Sequence, residues 1–204
     1  MKTSLSAEVL RALRATLVIA VIGGLIYPLV MTGLAQGLFH DQANGGLITT
    51  ASGKVVGAEL IGQNFTSDKY FNGRPSATVD ENDSTKSKPY NAANSAGDNL
   101  GPSNQALINA VKQRVEAVRK ANPTLKGDVP VDLVTTDFSG FDPDISPAAA
   151  YLQVDRVATA RGLDPGKVRA LVNQRVNGPS LAIFGVSHVN VLALNLALDA
   201  MKSS

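Results

Sequence analysis

The chain contains no cysteine among its 204 residues. That absence removes thiolate nucleophiles, disulfides and every metal site built on cysteine sulfur. Histidine is scarce too: only His40 and His188 occur. Neither stands in a ligand spacing such as H-x-x-x-H, so each reads as a loop or surface residue. No G-x-S-x-G turn presents a nucleophilic serine, and no G-x-x-x-x-G-K-[ST] loop is there to cradle a phosphate. Lys and Arg number 19 against 17 Asp and Glu, with no basic patch, which argues against a nucleic-acid partner. A domain of this size builds an adequate core without disulfides, so the lack of cysteine is compatible with export.

Charge is missing altogether from one stretch. Residues 15–38, ATLVIAVIGGLIYPLVMTGLAQGL, form a run of 24 residues without a charged side chain, between Arg14 and His40-Asp41. As a helix the run reaches roughly 36 Å, enough to cross a hydrocarbon core of about 30 Å. Its apolar residues surround the helix rather than forming one stripe, unlike a soluble core helix. It is longer than the apolar region of a cleaved signal peptide, and Gly33-Leu34-Ala35-Gln36-Gly37 is a poor cleavage site. The expectation is an uncleaved transmembrane helix. Pro28 removes one amide donor and should kink it without ending it. Gly23 and Gly24 leave a smooth patch where a partner helix could approach closely, and with Tyr27 and Pro28 they are the candidate packing surface in the membrane.

The flanking charges give a direction. Residues 1–14 carry Lys2, Arg11 and Arg14 against Glu8, whereas residues 15–204 hold 16 basic and 16 acidic side chains. In the twenty residues after Leu38 the only Lys or Arg is Lys54. The positive-inside rule then keeps residues 1–14 as a cytosolic cap and sends residues 39–204 outside. No later stretch is long or apolar enough to span again, and no internal repeat is present.

Along the remaining chain, Asp41–Gly46 is turn chemistry, Leu47–Ile48 and Val55–Ile61 read as short strands, and Ser52-Gly53 as the hairpin turn between them. Residues 78–100 are rich in Asn, Asp, Ser, Thr and Lys and read as a long polar loop, mobile or held by a partner. Ser103 can cap a helix that runs to Asn122 with Leu107, Val111, Val115 and Val118 on one stripe. Val129–Val134 reads as an edge strand. Ser146 with Pro147 opens a helix that Gly162 ends, and Asp164-Pro165 opens another with Val168, Leu171 and Val172 inward. A short strand around Leu181–Phe184 follows. In Val189–Met201, Leu192, Leu194, Leu196 and Leu198 alternate like a strand, but the Ala and Leu content favours a helix buried on most sides. The fold class is α+β: one N-terminal transmembrane helix, then a single mixed α/β domain.

Three carboxylates lie within eight residues at Asp137, Asp142 and Asp144. They could gather a hard cation on oxygen ligands. The same residues suit turns and helix caps, since Asp before Pro favours a turn and a helix follows; the EF-hand pattern is absent.

Several segments, in order, resemble one family. They are Gly23-Gly24-Leu25-Ile26-Tyr27-Pro28, Ala43-Asn44-Gly45-Gly46-Leu47-Ile48, Glu59–Phe65, Tyr70–Ala77, Asn99–Asn104, Val131–Thr135, Ile145-Ser146-Pro147 and the closing VNVLALNLALD. Together they make the chain similar to the C subunit (KdpC) of the Kdp high-affinity potassium-transporting ATPase of bacteria and archaea. The connector S-G-S-G-L-D-P-H-I-S-P of many relatives reads Asp137–Pro147 (DFSGFDPDISP) here, with two phenylalanines added and Asp144 replacing the histidine. The stretch before the last element, Gly185-Val186-Ser187-His188, is changed as well.

The resemblance implies a single-pass subunit of the bacterial inner membrane, with no catalytic site of its own. Its partners would be a channel-like potassium subunit (KdpA), a P-type ATPase subunit (KdpB) and a small peptide (KdpF), with K+ as the transported ion. The family is described as a catalytic chaperone that raises the ATP affinity of the pump subunit, and Gln153 sits where it has been linked to nucleotide; on this sequence Gln153 reads equally as a helix-surface glutamine. ATP binds in the cytosol, opposite the side that the charges give the domain. An indirect role follows, in which the domain docks over the outer mouth of the channel subunit and biases the complex. The alternative is a free-standing anchored module that binds or senses an external ligand.

Overall fold

The computed structural model describes residues 4–50 and 52–201. Lys2, counted among the N-terminal charges, lies outside the described residues. The chain divides into two compact units, Met1–Leu47 and Ile48–Ser204.

The first unit is built on one helix, α1 (Leu5–Leu38), 34 residues long and without a buried residue. Ser4 caps it by accepting the Ala7 amide. The helix thus starts inside the segment read as a separate cap, and Glu8 and Arg11 pair on it at 3.0 Å. Pro28 does not break it. Over Ile22–Ile26 the hydrogen bonds widen to a π turn, and α geometry resumes at Tyr27. The wider turn relieves the clash between the proline ring and the carbonyl four residues back. A short turn of helix, α2 (His40–Ala43), follows, and Gly45 and Gly46 adopt φ of 92° and 56°, the left-handed turn that DQANGG foretells.

The boundary between the units falls at the first residue of a hairpin of β1 (Leu47–Thr49) and β2 (Val55–Ala58). Thr50 and Lys54 close it, and Gly53 supplies the positive φ of 78°. A three-stranded antiparallel sheet orders β3 (Asp144–Ile145), β5 (His188–Asn190) and β4 (Val176–Asn177), with β5 central. Ile145 and Val176 both register on Val189.

Three helices carry the core. In α4 (Pro147–Arg161) Ser146 accepts the Ala149 amide at 3.1 Å, Pro147 opens the first turn and Gly162 ends it at φ 65°. In α5 (Pro165–Arg175) Asp164 accepts the Lys167 amide at 2.9 Å. In α6 (Val191–Asp199) Asn190 accepts the Ala193 amide at 2.9 Å. Val154, Val157, Val168, Val172, Leu194 and Leu198 are fully buried where α4 meets α5 and α5 meets α6. The amphipathic helix α3 (Gln105–Ala121) lies outside this group, its stripe only half-buried, and Asn104 rather than Ser103 caps it.

Two expected strands are absent. Val131–Leu133 is a single 3₁₀ turn after Pro130, with Leu133 buried and Val131 exposed. Proline withholds a ladder donor there, and Asp132 is drawn to the start of α4 instead. Residues 180–184 form a closed loop in which Ser180 and Phe184 exchange backbone bonds of 2.8 and 2.9 Å. Leu181 and Ala182 take φ of 51° and 62°, which no strand residue adopts.

The polar stretch after Thr78 is tied down by its own chain rather than left open. Thr78 donates to the Lys88 carbonyl at 2.6 Å and accepts the Asn91 amide at 3.1 Å. Asn91 donates to the Val79 carbonyl and to Glu81, both at 2.8 Å. Lys88 reaches Glu81 at 2.7 Å, and that bond above all holds the Glu81 carboxyl down at about 2. Tyr90 turns back at φ 60° and donates to the Arg74 carbonyl at 2.7 Å.

Candidate functional site

The segment Phe71–Asn72 belongs to neither sheet, yet Phe71 is buried and Asn72 half-buried, so its backbone needs partners. Two side-chain amides supply them. Asn195, on α6, accepts the Phe71 amide at 2.9 Å and donates to the Phe71 carbonyl at 2.9 Å. Gln153, on α4, accepts the Asn72 amide at 2.8 Å and donates to the Asn72 carbonyl at 3.1 Å. Each amide presents a carbonyl and an NH2 side by side, so it mimics the edge of a β-strand. Phe71 itself is fully buried between the helices.

Gln153 is therefore not a helix-surface glutamine. It is 2% exposed, and its second NH donates to the Ala149 carbonyl at 3.2 Å. Arg156, one turn on, donates to Gln153 Oε1 at 2.7 Å, to the Tyr70 carbonyl at 3.0 Å and to Asn72 Oδ1 at 3.1 Å. Burial lowers the Arg156 pKa, and Asp68 at 3.6 Å opposes that shift. Sequence reasoning missed Asn195 and Arg156. The signal for Asn195 is present in VLALNLALD: one amide in an otherwise apolar helix needs a buried partner.

The three connector carboxylates are placed near one another but perform separate tasks. Asp137 turns inward and accepts from the Ser139 amide and hydroxyl, the Gly140 amide and, at 3.3 Å, the Asp142 amide. Burial alone would raise its pKa, but these hydrogen bonds outweigh it and hold the carboxyl below the ordinary range. Asp142 pairs with Arg74 at 3.1 Å and accepts the Asp144 amide at 3.0 Å. Asp144 lies 3.9 Å from His188; burial raises its pKa, and the imidazole pulls the other way. Asp132 accepts the Ser146 amide at 2.6 Å.

Arg74, Asp132, Asp142, Asp144 and His188 line one cleft of about 360 Å³. Among the described residues no group of three His, Asp or Glu side chains converges as a metal site.

Four exposed apolar residues of the second unit are close together in sequence, while Leu60, Val131 and Phe138 are exposed elsewhere on it. Leu181, Ile183, Phe184 and Val186 are 62–84% exposed, on a backbone closed by its own hydrogen bonds. From Val176 to Ser187 no residue is charged.

With this geometry in view, the comparisons decide the family. Residues 9–200 match the family described as KdpC: K+-transporting ATPase, c chain. The chain belongs to the KdpC family. It is 55% identical over 196 residues to the potassium-transporting ATPase KdpC subunit of Bradyrhizobium diazoefficiens, covering 94% of this chain and 96% of that one. The KdpC subunit of Rhodopseudomonas palustris is 54% identical, with 96% and 98% covered. That of Paraburkholderia xenovorans is 51% identical, with 91% and 92% covered. KdpC is named as a subunit of a potassium-transporting ATPase, not as an enzyme in its own right. One apolar N-terminal helix fits a membrane-anchored member of the family.

Proposed function

We propose that this chain is a non-catalytic accessory subunit of an ATP-driven, high-affinity potassium import complex of the inner membrane, needed for its assembly and activity. One observation carries the reading: a KdpC-family chain joins a single apolar helix of 34 residues to a domain whose buried polar groups brace its own backbone. In this reading residues 1–14 are cytosolic, 15–38 span, and 39–204 lie outside, and the surplus of Arg and Lys before the span supports that orientation. The partners are the channel-like subunit KdpA, the P-type ATPase subunit KdpB and the peptide KdpF, and K+ is the ion moved.

Any gain in ATP affinity is indirect. The Gln153 amide is committed to Asn72, Ala149 and Arg156, so a nucleotide base would have to displace buried hydrogen bonds to reach it. The domain acts by docking over the outer mouth of KdpA, and the closed apolar loop at residues 180–186 supports such a contact. Asp142 and Asp144, at the mouth of the 360 Å³ cleft, give that face a mild attraction for cations, and Asp137 reinforces the connector beneath them. Protease added to the outside of intact spheroplasts should remove the domain and spare residues 1–14. Deleting the subunit should abolish potassium-stimulated ATP hydrolysis by the purified complex. Full activity without it overturns the accessory role and favours a free-standing anchored module.

A further inference from the structure

Donor accounting along α1 runs short at the glycine pair: Pro28 brings no hydrogen for the Gly24 carbonyl four residues back, which depends on the Leu29 amide, and the Gly23 carbonyl fares worse. Within the π turn, the Tyr27 amide bonds to the Ile22 carbonyl, five residues back. The Gly23 carbonyl has two helical candidates as donor. In α register the donor is the Tyr27 amide, which is directed to Ile22. In π register it is the nitrogen of residue 28, which is proline and carries no hydrogen. The Gly23 carbonyl thus has no donor within its own helix. Among the described residues no side chain donates to it either, and Gln36 of the same span pairs with Asn44.

The position makes this costly. Gly23 lies nine residues beyond Arg14, roughly 13 Å into the apolar run at the ordinary helical rise. Water is scarce at that depth, and an unpaired peptide group in hydrocarbon costs several kcal/mol. A Cβ at Gly23 or Gly24 would meet no atom within 4 Å outside the helix's own backbone, so another helix can approach the backbone there.

We propose that the Gly23 carbonyl accepts a hydrogen bond from a hydroxyl- or amide-bearing side chain on a membrane helix of another subunit of the transport complex. This rests on the accessory-subunit reading. It makes the π turn a recognition device: the pair Gly23 and Pro28 exposes an acceptor that lipid cannot satisfy, and a partner helix with a polar side chain at the matching depth satisfies it. A helix of leucines would pack against the glycines and leave the acceptor unpaired.

The test uses the complete complex, with this subunit labelled at glycine carbonyls with carbon-13. The infrared difference between wild type and Gly23→Ala isolates the Gly23 band, because only that label is lost. The band should lie at lower wavenumber in the assembled complex than in the isolated subunit. Pro28→Ala returns an internal donor, so this variant should leave detergent-solubilised complex about three- to tenfold faster than wild type, the range for one interhelical hydrogen bond. A band at the same position in both states overturns the inference, as does full retention of Pro28→Ala. A shift that accompanies self-association of the subunit alone also overturns it and assigns the donor to a second copy. Failure of the labelled chain to co-purify with any other subunit overturns both this inference and the accessory reading; co-purification with an unshifted band overturns this one alone.

Discussion

Gln153 and Asn195 grip the backbone of consecutive residues. The first pairs with both backbone groups of Asn72 and the second with both backbone groups of Phe71, from helices far apart in sequence. The segment between the polar loop and the helical core is thereby held as if it were a strand, without a neighbouring strand. The buried Phe71 ring and the exposed cleft at Arg74 are only three residues apart, so this grip also fixes where Arg74 meets Asp142.

Replacing Asn195 with Ala should cost about 2–4 kcal/mol, because it strands a buried amide and a buried carbonyl and opens a small cavity. Gln153→Ala should cost a similar amount, and the double variant less than the sum, since either break frees the same segment. Urea unfolding of the full chain in detergent, followed by tyrosine fluorescence, measures all three. A loss below about 0.5 kcal/mol for either single variant would contradict the grip.

Gly140 adopts φ 80°, and a Cβ there would run into Thr78 Cγ2 and come within 2.8 Å of the Ala96 carbonyl. The position is where the connector passes beneath the polar loop, and Ser76 donates to the Gly140 carbonyl at 2.6 Å. Gly140→Ala should therefore destabilise the domain by about 2–3 kcal/mol, more than the roughly 1 kcal/mol of backbone strain alone. Gly178→Ala, where a Cβ meets nothing within 4 Å and φ is not left-handed, should change stability by less than about 0.5 kcal/mol.

The sequence pattern announced those parts of the fold that local chemistry determines. Ser146-Pro147, Asp164-Pro165 and Gly162 act within one turn of themselves, so α4 and α5 start and stop where those residues require. The span was legible because lipid tolerates so few alternatives. Val129–Val134 and Leu181–Phe184 misled because β-branched and apolar residues suggest strands, whereas Pro130 and the closed turn at Ser180–Phe184 decide the backbone. The grip on Phe71–Asn72 could not be read from spacing: its partners are 81 and 124 positions away, and only the folded core brings them together. The π turn answers to Pro28, but its position at Ile22–Ile26, and with it the loss of a donor at Gly23, depends on where the wider bonds fall along the helix.

Asp137 gives the domain a pH dependence of defined sign. Its folded pKa lies below the ordinary value of 3.8, because the hydrogen bonds it accepts outweigh its burial. It therefore contributes stability that is present above 3.8 and is lost as pH falls through the folded value. Asp144 acts in the opposite sense: burial raises its pKa, so its contribution is present below 3.8 and is lost as pH rises through the folded value. Asp137→Asn should be less stable than wild type at pH 7, with the gap closing as pH falls below about 4. Asp144→Asn should gain stability relative to wild type as pH rises toward 7. Unfolding midpoints of the three proteins across pH 3–7 decide this, and a pH-independent gap for Asp137→Asn would show that geometry, not charge, is what the connector needs.

Leu181 presents the sharpest test of how the domain meets its partner. It is 84% exposed and carries a left-handed backbone, so the fold holds an apolar side chain outward at a cost of about 1 kcal/mol. Polar replacement in this loop removes no buried contact. Ile183→Ser and Phe184→Ser should leave the unfolding midpoint of the subunit within about 0.5 kcal/mol of wild type. If the loop docks on KdpA, the same variants should weaken retention of the subunit in the purified complex, by roughly tenfold for the pair. Leu125→Ser, in the turn after α3, serves as the control and should leave retention unchanged. Equal retention of all the variants would place the docking contact on another face of the domain.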